Sequence, residues 1–127
     1  MENLNFSDYI KHLEVLDFKK GDVILKQGSS TNETIYFLFS GELSVEKNRI
    51  GRNVQISSIF AGEFFGEISM ITSKPRAATI KVNSETAKVG LIDKSTFLNV
   101  SKSRPKFLFV LIRQAIQTMH RAENKHN

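Results

Sequence analysis

The sequence predicts a mainly β fold, an antiparallel sandwich or jelly roll with a short N-terminal helix and C-terminal helices. Three observations predict it. Between residues 14 and 92, seven or eight short apolar runs recur at regular spacing, most of them ending at a glycine-marked or polar turn. Beyond residue 93 the apolar period becomes helical. The chain of 127 residues has the length of one domain, enough to bury about two-thirds of its unfolded surface in a single core.

Each element follows from its own residues. Phe6, Ile10 and Leu13 fall at helical spacing behind Ser7, a suitable N-cap, so residues 1–13 read as a short amphipathic helix. Glu14–Phe18 is a first strand, stopped at Lys20-Gly21-Asp22. Val23–Leu25 is a second, closed by Gln27-Gly28-Ser29-Ser30. Glu33–Ser40 is strongly β-prone and ends at Gly41. Glu42–Glu46 alternates, with Leu43 and Val45 on one face. Lys47–Arg52 reads as a hairpin tip, and Val54–Phe60 as the returning strand, with Val54, Ile56 and Ser58 facing one way. Thr79–Val82 and Ala87–Ile92 are two more strands around the turn Asn83-Ser84-Glu85. Asp93 or Ser95 can cap a short helix through Phe97 and Leu98, and Pro105 suits the first turn of a longer one running to about Glu123. Its apolar residues, Phe107 to Met119, surround the first turns and then narrow to a stripe, so that helix must bury more than one face. The chain is thus read as a single domain over 1–127: a helix at 1–13, a β-roll at 14–93, and helices at 94–123.

Composition narrows the function. Without cysteine there is no disulfide, zinc–cysteine site or thiol nucleophile, which suits a cytoplasmic location. The N-terminus lacks the layout of a signal peptide, and the longest clean apolar run, Phe107–Ile112, is too short to span a bilayer. The net charge of +5 is spread over scattered cations with no aromatic–basic RNA motif, so no direct nucleic-acid binding and no membrane insertion are expected. None of His12, His120 and His126 lies in the strand region, which argues against a metal site and against a catalytic triad. The chain is therefore not expected to be an enzyme.

One stretch carries the chemistry, Phe64–Ile80, FFGEISMITSKPRAATI. The apolar run Ile68–Ile71 has the spacing of one or two helical turns, and backbone N–H groups at a helix N-terminus favour negative charge. Arg76, ten residues after Gly66, can return to the same point with a planar fork of donors. Glu67 would repel a phosphate there, so it needs another task; accepting a hydrogen bond from a sugar hydroxyl would suit it.

Phe65-Gly66-Glu67-Ile68-Ser69, a five-residue spacer and Pro75-Arg76-Ala77-Ala78-Thr79 resemble the phosphate-binding cassette of cyclic nucleotide-binding domains. The glycine-punctuated strands, Gly21-Asp22 with Ile24, Gly28, Ile35–Leu38 and Gly41-Glu42-Leu43, extend the resemblance from about Leu13 to about Arg121. It implies that Arg76 pairs with the cyclic phosphate and that Glu67 accepts from the ribose 2′-OH. Backbone N–H groups near Gly66, Ile68, Ser69, Ala77 and Ala78 would complete the anion cradle. Small side chains at Ser69, Ala77 and Ala78 would let the ligand approach closely, and Val54, Ile56 and Phe64 are further apolar candidates. Ala77 stands where cGMP-preferring members often carry a hydroxyl, which leans the ligand towards cAMP over cGMP. In such domains a residue of the C-terminal helices often covers the base. Leu111 and Ile112 are the lid candidates here, with Phe107 or the stems of Arg113 or Arg121 as alternatives.

The function implied is a stand-alone cyclic nucleotide sensor with no cofactor beyond its ligand, reporting to an unidentified effector protein through repacking of its C-terminal helices. Met70 sits where the family couples cassette to helices, or is an ordinary core methionine. The helical stripe is read as core and the seam of a homodimer, or as a lid over the chain's own pocket. The alternatives are an interaction module of the same fold that needs no nucleotide, and the sensor fragment of a transcription regulator.

Overall fold

The computed structural model describes residues 13–30, 33–67 and 74–126. Eight strands run in the order β1 (Glu14–Lys19), β2 (Val23–Leu25), β3 (Thr34–Ser40), β4 (Glu42–Arg49), β5 (Arg52–Phe60), β6 (Phe64–Phe65), β7 (Thr79–Val82) and β8 (Thr86–Asp93). Two helices follow, α1 (Lys94–Ser103) and α2 (Pro105–His126). The strands form two four-stranded sheets, ordered β1-β8-β3-β6 and β2-β7-β4-β5, and every pair is antiparallel. This is the jelly-roll architecture the alternation predicts. Apart from Leu13, the expected N-terminal helix lies outside the described residues, as does the apolar run Ile68–Ile71. No described helix is long and apolar enough to cross a membrane.

The strand sequence TIYFLFS is apolar almost throughout because β3 buries both faces. Tyr36 and Leu38 point into the sandwich, where they meet Leu25, Leu43, Ile59, Phe65, Ile80, Val82, Ala87 and Val89. Ile35 points to the other face and joins Ile92, Phe64, Phe97, Phe107 and Leu111 under the helices. β8 divides in the same way, Ala87 and Val89 inward and Ile92 towards the helices. The period of two thus builds two cores from one central pair of strands.

Three expectations need correction. The turn between β4 and β5 is not the six residues Lys47–Arg52 but the pair Ile50-Gly51, since the ladder continues to Arg49↔Arg52. Both turn residues take positive φ, 53° and 83°, the geometry that matches strand twist in a two-residue hairpin. On β5, Val54, Ile56 and Ser58 do not keep one face. A bulge falls where Val45↔Ser57 gives way to Glu46↔Gln55, leaving Ile56 as the extra residue. The inward set after the bulge is therefore Ser57 and Ile59, both 2% exposed. Finally, β6 is a two-residue strand that the sequence left inside the cassette; it pairs Tyr36↔Phe65 and Phe37↔Phe64.

The helices start as the sequence suggests. The Asp93 carboxylate accepts from the Thr96 N–H at 2.8 Å and caps α1. Arg104 leaves helical geometry, as the residue before a proline must, and Pro105 opens α2. α2 then runs back over β5, where Arg121 donates both Nη groups to the Glu63 carboxylate at 3.0 Å.

Candidate functional site

The described ends of the cassette are both anchored to the β-roll. Phe65 is fixed in the sandwich by β6 pairing and by stacking on Tyr36, with ring centroids 5.1 Å apart. Gly66 then turns the chain at φ 80°. A Cβ there would sit 3.0 Å from Arg76 Nη1 and 3.0 Å from a Tyr36 ring carbon, so glycine serves both the turn and the close approach. On the other side, the backbone of Arg76 is clamped by the β2–β3 loop. Gly28 N–H donates to the Arg76 carbonyl at 2.8 Å, and Arg76 N–H donates to the Ser29 carbonyl at 2.9 Å. Thr79 Oγ1 accepts from Gln27 N–H at 3.0 Å and locks the same loop to the start of β7.

These anchors bring the two charged residues of the cassette into the interior. Arg76 is 4% exposed and Glu67 7% exposed. Arg76 donates from Nη1 to the Gly66 carbonyl at 2.9 Å and from Nη2 to the Thr34 carbonyl at 3.4 Å, with its guanidinium carbon 5.9 Å from the Tyr36 ring centroid. Burial lowers its pKa, while Tyr36 and Glu67 act in the opposite sense. Burial pushes the Glu67 carboxyl up to about 7, against smaller downward pulls from its own backbone N–H and from Arg76. Among the described residues, Glu67 Oε2 is buried with no hydrogen-bond partner. Near neutral pH the Glu67 carboxyl, pushed up to about 7, is thus only partly charged and offsets the Arg76 guanidinium incompletely. That imbalance favours an anion, and the unused oxygen is placed to accept a hydrogen bond.

Both residues line a cavity of about 410 Å³, within the usual range for small-molecule sites. The cavity also takes in Phe65, Gly66, Ala77 and Ala78, so six of the expected ligand residues converge on it. Ile68 and Ser69, the other two, lie outside the described residues, as does Met70. The rest of the wall is apolar: Leu25, Val45, Ile59, Phe64 and Ile80, with Lys74 and Pro75 at the rim. Val54 and Ile56 do not line it. The bulge at Ile56 puts Ile59 in that place instead, paired with Leu43 of β4 and sharing the cavity wall with Val45.

The lid candidates are placed differently. Leu111 is 1% exposed in the helical core, and Ile112 is 47% exposed; neither lines the cavity. Arg121 is held by Glu63, and Arg113 lies over the Phe109 ring. Phe107 does reach the site indirectly. It meets the cavity-lining Phe64 edge-on, with centroids 5.8 Å apart. Among the described residues no cluster of three or more His, Asp or Glu could hold a metal ion.

The family model described as cyclic nucleotide-binding domain matches residues 15–104. The chain is 30% identical over 96 residues to the cAMP-dependent protein kinase type II regulatory subunit of Drosophila melanogaster, covering 76% of this chain and 24% of that protein. It is 35% identical over 107 residues to the cGMP-dependent protein kinase of Eimeria tenella, covering 84% of this chain and 10% of that protein. The chain thus spans a quarter or less of the length of these relatives. Its fold is similar to the crystal structure of Thermus thermophilus catabolite activator protein, with a TM-score of 0.79 at 17% identity over 96% of this chain and 58% of that one.

Proposed function

The chain belongs to the cyclic nucleotide-binding domain family, and from that premise we propose that it is a sensor for a 3′,5′-cyclic nucleotide, cAMP in preference to cGMP. The observation that carries this reading is the buried pair at one cavity, a fixed guanidinium in Arg76 beside a carboxyl with a free acceptor in Glu67. Arg76 meets the cyclic phosphate, and Glu67 Oε2 accepts from the ribose 2′-OH. A linear nucleotide brings further charge, and a 2′-deoxyribose leaves Glu67 unanswered, at a cost of about 1–3 kcal/mol. The apolar wall of Leu25, Val45, Ile59 and Ile80 suits the sugar face and base. Ala77 and Ala78 offer backbone N–H groups without side-chain obstruction and no hydroxyl for a guanine.

The signal leaves through aromatic packing. Phe64 lines the cavity and also touches Phe107 of α2, so an anion that draws the cassette inward strains the contact between β6 and the helical layer. The ligand shifts α2 only by its difference in affinity for the two arrangements. The role is regulatory rather than catalytic, carried out in the cytoplasm and directed at a separate effector. Isothermal titration with cAMP, cGMP and cyclic dinucleotides tests the reading. A micromolar Kd, about −8 kcal/mol, is expected for cAMP. No binding of any of these at tens of micromolar rules it out.

A further inference from the structure

Away from the cavity, α2 turns three large apolar side chains to solvent. Phe109 is 62% exposed, Ile112 47% and Ile116 48%. Their spacing puts them on one stripe about 10 Å long, on the side of the helix opposite the buried Phe107 and Leu111. Single exposed apolar residues are ordinary, but three in helical register form a surface that the fold does not require.

The charge around the stripe has one sign. Lys106 and Arg113 are exposed along the same side, and the Arg113 guanidinium carbon lies 5.7 Å from the Phe109 ring centroid. Between Lys94 and Ala122 the sequence has six Lys or Arg and no Asp or Glu. Two of those cations are answered from the β-roll, Lys94 by Glu33 and Arg121 by Glu63. Lys102, Arg104, Lys106 and Arg113 leave the helical layer cationic around an apolar centre.

This pattern discriminates between occupants. A second copy packed helix to helix, in either direction, sets Lys106 and Arg113 against a face that holds no carboxylate in residues 94–122, and like charges oppose each other. A helix with apolar residues at positions i, i+3 and i+7 and Glu or Asp along its margins answers both the stripe and the cations. We propose that the outward face of α2 is the docking surface for an acidic amphipathic helix of an effector protein. This rests on the sensor reading and names its output surface.

The test uses the full chain and two synthetic helical peptides. Both carry Leu at the stripe positions, one with Glu margins and one with Lys margins. The acidic peptide should bind at least about tenfold more tightly than the basic one, with affinity falling as salt rises. The double substitution Phe109→Ser with Ile116→Ser should weaken that binding about tenfold or more, as should Lys106→Glu, with the thermal melt and cAMP affinity unchanged in both. Equal binding of the two peptides overturns the proposal. So does sedimentation of the chain as a dimer that the serine variant dissociates, or selective binding to phosphatidylserine vesicles in place of the acidic peptide. Because cAMP affinity is measured on the same samples, an unsubstituted chain that binds cAMP but not the acidic peptide overturns this surface alone, whereas a chain that binds no cAMP overturns the sensor reading.

Discussion

Phe64 and Phe65 are consecutive residues of one two-residue strand, yet they serve different regions. Phe64 joins Ile35, Ile92, Phe97, Phe107 and Leu111 beneath the helices, a cluster of apolar side chains only. Phe65 stacks on Tyr36 inside the sandwich and leads within two residues to Glu67, at a cavity that also takes in the buried Arg76. The first region is an apolar cluster that reaches the cavity only through the Phe64 ring. The second holds two ionisable groups whose burial works against their charged forms. The helical core contributes folding energy, while the cassette keeps buried polar groups, one of them, Glu67 Oε2, without a hydrogen-bond partner.

Two substitutions, one in each region, should separate them most sharply. Phe107→Ala removes a 4% exposed ring with aromatic neighbours on two sides, Phe64 at 5.8 Å and Phe97 at 6.0 Å. A loss of about 3–5 kcal/mol in urea unfolding is expected. Arg76→Met should do the opposite. Affinity for cAMP should fall by about a hundredfold or more, about 3 kcal/mol, measured by calorimetry. The stability of the empty domain should change by less than about 1.5 kcal/mol, because Glu67 can take a proton and no buried charge is stranded. If Arg76→Met unfolds the domain as severely as Phe107→Ala, Arg76 is a core residue and the comparison fails.

Much of this division is legible in the sequence. The run Glu33–Ser40 is strongly β-prone on its own, and Gly66, Glu67 and Arg76 stand out because a glycine and two opposite charges lie at a spacing that can close on one point. Asp93 and Pro105 mark helix starts by local chemistry alone. What is not legible depends on partners far away in the chain. The bulge at Ile56 exists only in relation to the register of β4, so the choice of Ile59 over Val54 and Ile56 as cavity wall has no local signal. The two-residue β6 is too short to show a period, and it forms because β3 offers it a partner. Leu111 and Ile112 are equally apolar in sequence. Only the rotation of α2 on the sheet decides that Leu111 is buried and Ile112 exposed.

The Gly66 turn is a finer probe of the cassette. Gly66→Ala adds a Cβ 3.0 Å from both Arg76 Nη1 and the Tyr36 ring, at a positive φ that costs about 1–2 kcal/mol for any other residue. Displacement of the guanidinium should weaken cAMP binding about tenfold, with a stability loss near the strain alone, about 1–2 kcal/mol, by thermal melting. A variant that melts lower but binds cAMP normally would show that Arg76 does not need this approach.

pH separates the two regions by sign. The Glu67 carboxyl is raised from 4.5 to about 7 in the folded domain, so between those values the native state holds a proton that the unfolded chain has released. Its contribution is present in full below pH 4.5 and is lost as pH rises through 7, by about 3 kcal/mol at most. Asp93, at the exposed start of α1, behaves in the opposite way. Hydrogen bonds from Thr96 hold its pKa below the ordinary value, so its contribution is present at neutral pH and is lost as pH falls through the folded pKa. Urea unfolding of the empty domain between pH 5 and 8 should therefore show stability declining with pH, and Glu67→Gln should flatten that decline. Asp93→Asn should leave the slope in this window unchanged and remove only the loss at acid pH, a smaller effect that belongs to the helical layer. If Glu67→Gln left the slope as it was, the carboxyl would not be the proton-binding group of the empty cavity. The polar imbalance that distinguishes the cassette from the apolar core would then have to lie in Arg76 alone.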